Sequence, residues 1–184
     1  MSGHVCPWWG GFFIDNRLRR LIHNPHKILS PYVQSGATVM DVGCGMGMFS
    51  IAMAQLVGPT GRVISVDLQP QMLAVLAKRA ARAGVADRIT CHPCQANELN
   101  VTEPCDFALC FYSAHEIPDL RHLLEQIHTV LRPTGHLLVV EPKGHVPARQ
   151  FARMLSEAAD VGFVEREHPS VRWSRAVLWS KRPS

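Results

Sequence analysis

At 184 residues, 47% apolar and 18% charged, the chain has the composition of a globular domain long enough to bury a sizeable core. Its net charge of +4 comes from basic residues mixed among acidic ones, so nothing in the sequence demands a nucleic-acid partner. No apolar run approaches a membrane span and no charged, then apolar leader opens the sequence, so the six cysteines are expected as reduced thiols of a cytoplasmic protein.

The segment CPWWGGFF (Cys6 to Phe13) is apolar and aromatic without helical or strand period. Both an arm packed on the domain and a wall over an apolar substrate site suit it. Asp15 to Leu29 reads as a helix with Leu18, Leu21 and Ile22 on one face, broken at Pro25. Ser30-Pro31 opens a turn and Ser35-Gly36 introduces the first strand. The stretch VMDVGCGMGMFS (Val39 to Ser50) then reads as a buried strand, a glycine turn and a helix start running to Val57. Its spacing is G-x-G-x-G. A dinucleotide turn, G-x-G-x-x-G, needs glycine where Met48 stands. The helix stops at Gly58-Pro59.

RVISVD (Arg62 to Asp67) is a β-branched strand ending in an acid about 20 positions past the glycine turn. A carboxylate there can accept both ribose hydroxyls of a nucleoside ligand, and it repels a 2′-phosphate. Gln69 to Ala83 is predicted as a helix, with Pro70 in its first turn and Gly84 at its stop. Leu73, Leu76, Ala77 and Ala80 form its inward stripe, and Lys78, Arg79 and Arg82 face solvent. Arg88 to Pro93 is a short strand. Cys91 and Cys94 form a C-x-x-C at its end, without the second pair a zinc site needs and without the helix start of a redox pair.

Asp106 to Tyr112 is nearly continuous in apolar residues, as a strand covered on both faces should be. A helix follows from Asp119 to Leu131, buried through Leu120, Leu123, Leu124, Ile127 and Val130. Arg132 to Gly135 is a turn into the strand His136 to Glu141. A helix over Gln150 to Ala159 closes at Gly162, and Phe163 to His168 with Ser174 to Ser180 make a hairpin. No repeat or linker divides the chain. Alternating strands and helices argue an α/β doubly wound parallel sheet. In such a sheet Asp41, Asp67, Gln95 and the residues after Tyr112 converge at one edge.

Four stretches together resemble the class I S-adenosylmethionine (SAM) methyltransferases: the hh-D-x-G-x-G-x-G turn with its strand-end acid, CQANEL from Cys94, SAHEIPD from Ser113, and LRPTGHLLVVEP from Leu131. The resemblance runs from about Val39 to Lys181 and is closest to small-molecule enzymes related to the ubiquinone and menaquinone C-methyltransferases. It implies a Rossmann-like, doubly wound, mostly parallel seven-stranded sheet with a C-terminal antiparallel hairpin. One domain would cover residues 1–184, with an arm and helices in 1–36 and the SAM-binding core in 37–184.

The resemblance also implies SAM as cofactor, held by Asp41, Gly43, Cys44, Gly45, Gly47, Asp67, Leu68, Gln95, Ala96, Phe111 and Tyr112. Cys94 and Gln95 replace the glycine and acid usual in the family's third motif, and Gln95 can still accept from the adenine amino group. His115 is the first candidate for a catalytic base, with a structural role in the loop as its alternative. Glu116, Glu141 and His145 are further acid/base candidates, and Cys6, His115 and His145 a candidate soft metal or metalloid set. The expected acceptor is an apolar or aromatic small molecule. No N-P-P-Y motif follows the fourth strand, which argues against DNA adenine or glutamine methylation. A nicotinamide oxidoreductase, disfavoured by Met48, and a non-catalytic scaffold on the same fold are the alternatives.

Overall fold

The computed structural model describes residues 22–183, where strands and helices alternate. The Cys6–Phe13 arm lies outside the described residues. Pro25 begins a short helix, α1 (Pro25–Leu29), capped by Asn24, whose side chain accepts from the Lys27 N–H. The core elements follow as β1 (Thr38–Val42), α2 (Met48–Leu56), β2 (Arg62–Asp67), α3 (Pro70–Arg82), β3 (Ile89–Pro93) and β4 (Cys105–Phe111). The chain continues through α4 (Leu120–Val130), β5 (Leu131–Pro142), α5 (Ala148–Val161), β6 (Phe163–Glu167) and β7 (Ser174–Lys181).

The seven strands form one sheet in the order β3-β2-β1-β4-β5-β7-β6. The first five are parallel, and β7 runs antiparallel to both β5 and β6. This is the predicted α/β sheet with its C-terminal hairpin. The winding reverses between β1 and β4, so a crevice opens at the carboxyl ends of these two strands.

The continuous apolar strands have a simple cause. Successive residues point to opposite faces, and both faces are covered. Val39, Val63, Phe107 and Leu109 join one core with Phe49, Met53 and Leu76. Met40, Ile64, Ala108 and Cys110 join the other with Leu124, Ile127 and Met154. Among the described residues no helix is long and apolar enough to cross a membrane.

Four expectations are corrected. In α3 the buried residues are Met72, Leu73, Leu76 and Ala80, and Ala77 is exposed. At about 100° per residue, Ala77 and Arg79 fall on the two margins of that stripe. Arg79 does not simply face solvent either: its Nη1 donates to the Met46 carbonyl at 2.9 Å. Arg132 to Gly135 is not a separate turn but a bulge within β5. Leu131 pairs with Cys105 and His136 with Phe107, so these four residues stand opposite Asp106 alone. Arg132 Nη1 reaches Asp106 Oδ2 at 2.7 Å, and the same oxygen accepts from the Thr38 N–H at 2.9 Å. Asp119, placed inside a helix by the sequence, is its N-cap and accepts from the His122 N–H.

Phe107, 1% exposed at the middle of β4 and stacked on Tyr32, tests the core. Phe107→Ala should cost about 3–5 kcal/mol in urea denaturation, from lost transfer energy and the cavity left behind.

Candidate functional site at the carboxyl edge of the sheet

The loop between β1 and α2 turns tightly because Gly43 and Cys44 both donate their N–H to the Val66 carbonyl, at 2.9 and 3.0 Å. Gly43, Gly45 and Gly47 have φ of +70°, +53° and +82°. Two of these glycines serve different ends. A Cβ at Gly47 would lie 2.1 Å from Leu76 Cδ1, so glycine is needed for close packing on α3. A Cβ at Gly45 would meet nothing within 4 Å; there the loop leaves open space.

Asp67 ends β2 with both oxygens in use. Oδ2 accepts from the Gly45 N–H at 2.8 Å and Oδ1 from the Gln69 N–H at 2.9 Å. Burial pushes its carboxyl up, and the two N–H bonds pull it part of the way back. Asp41 is 2% exposed and accepts from Ser50 Oγ at 2.5 Å. Burial drives its carboxyl from 3.8 to about 7, against the Ser50 bond and with a smaller push from the Asp67 charge.

These groups border a cavity of about 720 Å³, within the ~300–1,000 Å³ usual for small-molecule sites. Asp41, Gly43, Cys44, Gly45, Asp67, Leu68, Gln95, Ala96, Phe111 and Tyr112 all line it. Gly47 does not; it sits behind the loop, against Leu76. Gln95 is exposed at the rim, where its backbone bridges to Glu98. Gln126 of α4 holds this segment, accepting from the Leu99 N–H at 2.7 Å and donating to the Asn97 carbonyl at 2.8 Å. Phe111 stacks on Phe49 with centroids 4.1 Å apart. Tyr112 takes a positive φ of 60°, and its hydroxyl lies 2.6 Å from Ser174 Oγ.

His115 also lines the cavity, with Glu116 and His145. Its backbone N–H donates to Glu141 Oε1 at 3.1 Å, and its Nδ1 lies 2.5 Å from Glu141 Oε2. Glu141 is fully buried. Burial alone would pull the His115 imidazole down; the Glu141 hydrogen bond and charge, helped by Glu116, outweigh it and hold the group above the usual histidine value.

Asp41, Asp67, Glu98 and Glu116 line the cavity, and among the described residues no lysine or arginine does. Sequence reasoning missed Met46, Ile117 and Pro118 of the wall. Their places directly after the first glycines and after β4 were signal enough. Leu123 and Gln126 reach in from α4, and no local pattern marks them. Cys91 packs toward one core and Cys94 toward the other, so the C-x-x-C does not converge. Cys6 lies outside the described residues, among which no group of three or more His, Cys, Asp or Glu is placed to hold a metal ion.

A family described as a methyltransferase domain matches residues 33–173. The demethylmenaquinone methyltransferase of Oceanobacillus iheyensis is 32% identical over 110 residues, covering 59% of this chain and 46% of that protein. The chain spans about half the length of the curated relatives it matches. Two solved structures share the fold. A SAM-dependent methyltransferase from Aquifex aeolicus superposes with a TM-score of 0.84 at 20% identity, over 95% of this chain and 98% of that one. A TehB-like SAM-dependent methyltransferase from Corynebacterium glutamicum gives 0.73 at 16% identity, over 95% and 99%.

Asp41 makes a test of the site's electrostatics. Between pH 3.8 and about 7 the folded chain keeps a proton on Asp41 that the unfolded chain has released. Its contribution therefore lowers stability as pH rises through that interval and is constant above it. Asp41→Asn removes the slope. Urea denaturation at pH ~4.5 and ~7.5 should show the wild type losing more stability between the two than the variant does.

Proposed function

Because the chain belongs to the methyltransferase-domain family, we propose that it transfers a methyl group from SAM to an apolar or aromatic small molecule. The observation that carries this reading is the polarity of the cavity: among the described residues, Asp67, Glu98 and Glu116 line it with Asp41, which holds its proton up to about pH 7, and no lysine or arginine does. A nicotinamide dinucleotide brings a pyrophosphate that such walls repel. SAM brings a sulfonium and an ammonium that they attract. When bound, SAM supplies an activated methyl group for in-line displacement, and the protein's work is to position, to exclude water and to move a proton.

The residues fit that group by their chemistry. Asp67 has lone pairs left on both oxygens for ribose hydroxyls, beside the open face of Gly45. Gln95, with Leu68 and Ala96, serves the adenine end through its amide oxygen. Asp41, Gly43, Cys44, Phe111 and Tyr112 serve the methionine end. Gly47 supports the loop from behind. Met46, Ile117 and Pro118 supply apolar wall for a flat acceptor, and the demethylmenaquinone methyltransferase name carried by relatives agrees with an aromatic one.

Isothermal titration with SAM, S-adenosylhomocysteine and NAD tests the reading. The first two should bind saturably. Asp67→Ala should weaken both by roughly 10- to 100-fold, the loss of charge-assisted hydrogen bonds. Binding of NAD alone would overturn the proposal.

A further inference from the structure

Glu141 is a buried carboxylate spent on a single residue. It stands one residue before the end of β5 with no exposed surface, and both its oxygens go to His115, one to the backbone N–H and one to Nδ1. A carboxylate facing Nδ1 only accepts, so Nδ1 carries a proton, and in the neutral ring Nε2 keeps its lone pair. Nε2 has no hydrogen-bond partner among the described residues, and the ring lines the cavity. Holding the loop would need only the backbone bond, whereas a second oxygen aimed at the ring fixes its tautomer and direction. A buried, charged group is costly unless it is paired in this way.

We propose that His115, set by Glu141 as its positioning residue, is the general base of an acceptor subsite that takes a neutral phenol. This rests on the methyl-transfer reading above. The phenolic proton passes to Nε2 while an oxygen lone pair forms the new O–CH₃ bond. The methyl–sulfonium bond of the donor breaks and its electron pair stays on sulfur. The resulting imidazolium faces Glu141 and later gives its proton to water. The cavity selects a neutral phenol for two reasons. Its carboxylates weaken the binding of an acceptor that arrives as an anion, and among the described residues no lysine or arginine lines it to stabilise a phenolate formed beforehand. Proton removal therefore belongs to the site itself. Ile117, Pro118 and Pro142, close in sequence to His115 and Glu141, line the same cavity and offer apolar surface to a ring.

The groups facing His115 are Glu141 from β5, Glu116 from its own turn and His145 from the loop after β5, whose ring lies 5.0 Å away edge-on. The carboxylates hold the imidazole above its usual value. The acid limb of the rate profile should therefore lie above that of an ordinary histidine.

The test uses Glu141→Gln with 1-naphthol, 4-nitrophenol and aniline as acceptors. Glutamine keeps an oxygen for the His115 N–H but puts an amide NH₂ against Nδ1, which forces the ring proton onto Nε2. SAM affinity by titration should be unchanged. Turnover of 1-naphthol should fall by about 10²-fold or more, and the acid limb should move to lower pH. Turnover of 4-nitrophenol, assayed at saturation above its own ionisation, where it binds more weakly but needs no base, should fall far less. Imidazole ¹⁵N shifts should report Nδ1–H in the wild type and Nε2–H in the variant. His115→Gln should give the same selective loss. Equal losses for both phenols, undiminished 1-naphthol turnover, or methylation of aniline alone with SAM bound would overturn the proposal. Failure of the wild type to bind SAM would instead sink the methyl-transfer reading, and this one with it.

Discussion

Asp67 joins three pieces of chain at one point. Its carboxylate ends β2, takes the Gly45 N–H of the preceding loop, and takes the Gln69 N–H at the start of α3. The helix returns the connection through Arg79, which donates to the Met46 carbonyl, and through Leu76, packed where Gly47 has no side chain. Loop, strand end and helix thus form a closed set of contacts in which each member fixes the other two. The shape of the cavity depends on that closure, because the open face at Gly45 exists only while the residues on either side are pinned.

The same edge holds four of the polar groups that the core conceals. Asp41, Asp67, Ser113 and Glu141 lie at or just past the carboxyl ends of β1, β2, β4 and β5, all buried. Each has a partner: Ser50 for Asp41, backbone N–H groups for Asp67, the Val42 carbonyl for Ser113 and His115 for Glu141. A sheet built for stability alone would fill these places with apolar residues, since a paired buried charge seldom outperforms a hydrophobic one. Concentrating the exceptions at one edge lets the interior of both cores stay apolar, and it keeps the strain of charge burial where a ligand can relieve it.

Much of this was legible in the sequence for reasons that can be named. RVISVD reads as β2 because β-branched residues bounded by glycine and proline leave few alternatives, and the structure assigns the same six residues. The positive-φ turn follows from the glycines themselves. What was not legible depends on register between distant segments. His115 and Glu141 meet only because β4 and β5 pair with Phe111 opposite Val140, which brings the turn past β4 beside the last residues of β5. The Arg132–Gly135 stretch has turn residues, yet the pairing of Leu131 with Cys105 draws it into a strand. Ala77 and Met72 differ by a rotation on one helix that composition does not fix.

Tyr112 is caught between backbone and side chain. Its φ of 60° suits glycine, and a bulky residue held there costs about 1–3 kcal/mol. Its hydroxyl meanwhile joins the end of β4 to Ser174 on β7, and its ring packs beside Phe111. Glycine would relax the backbone and cut the tether; phenylalanine would keep the ring, the strain and none of the bond. Drift at this position is therefore confined from both directions. Any lineage that abandons the tyrosine must also re-anchor its C-terminal hairpin, so residues 112 and 174 should change together or not at all.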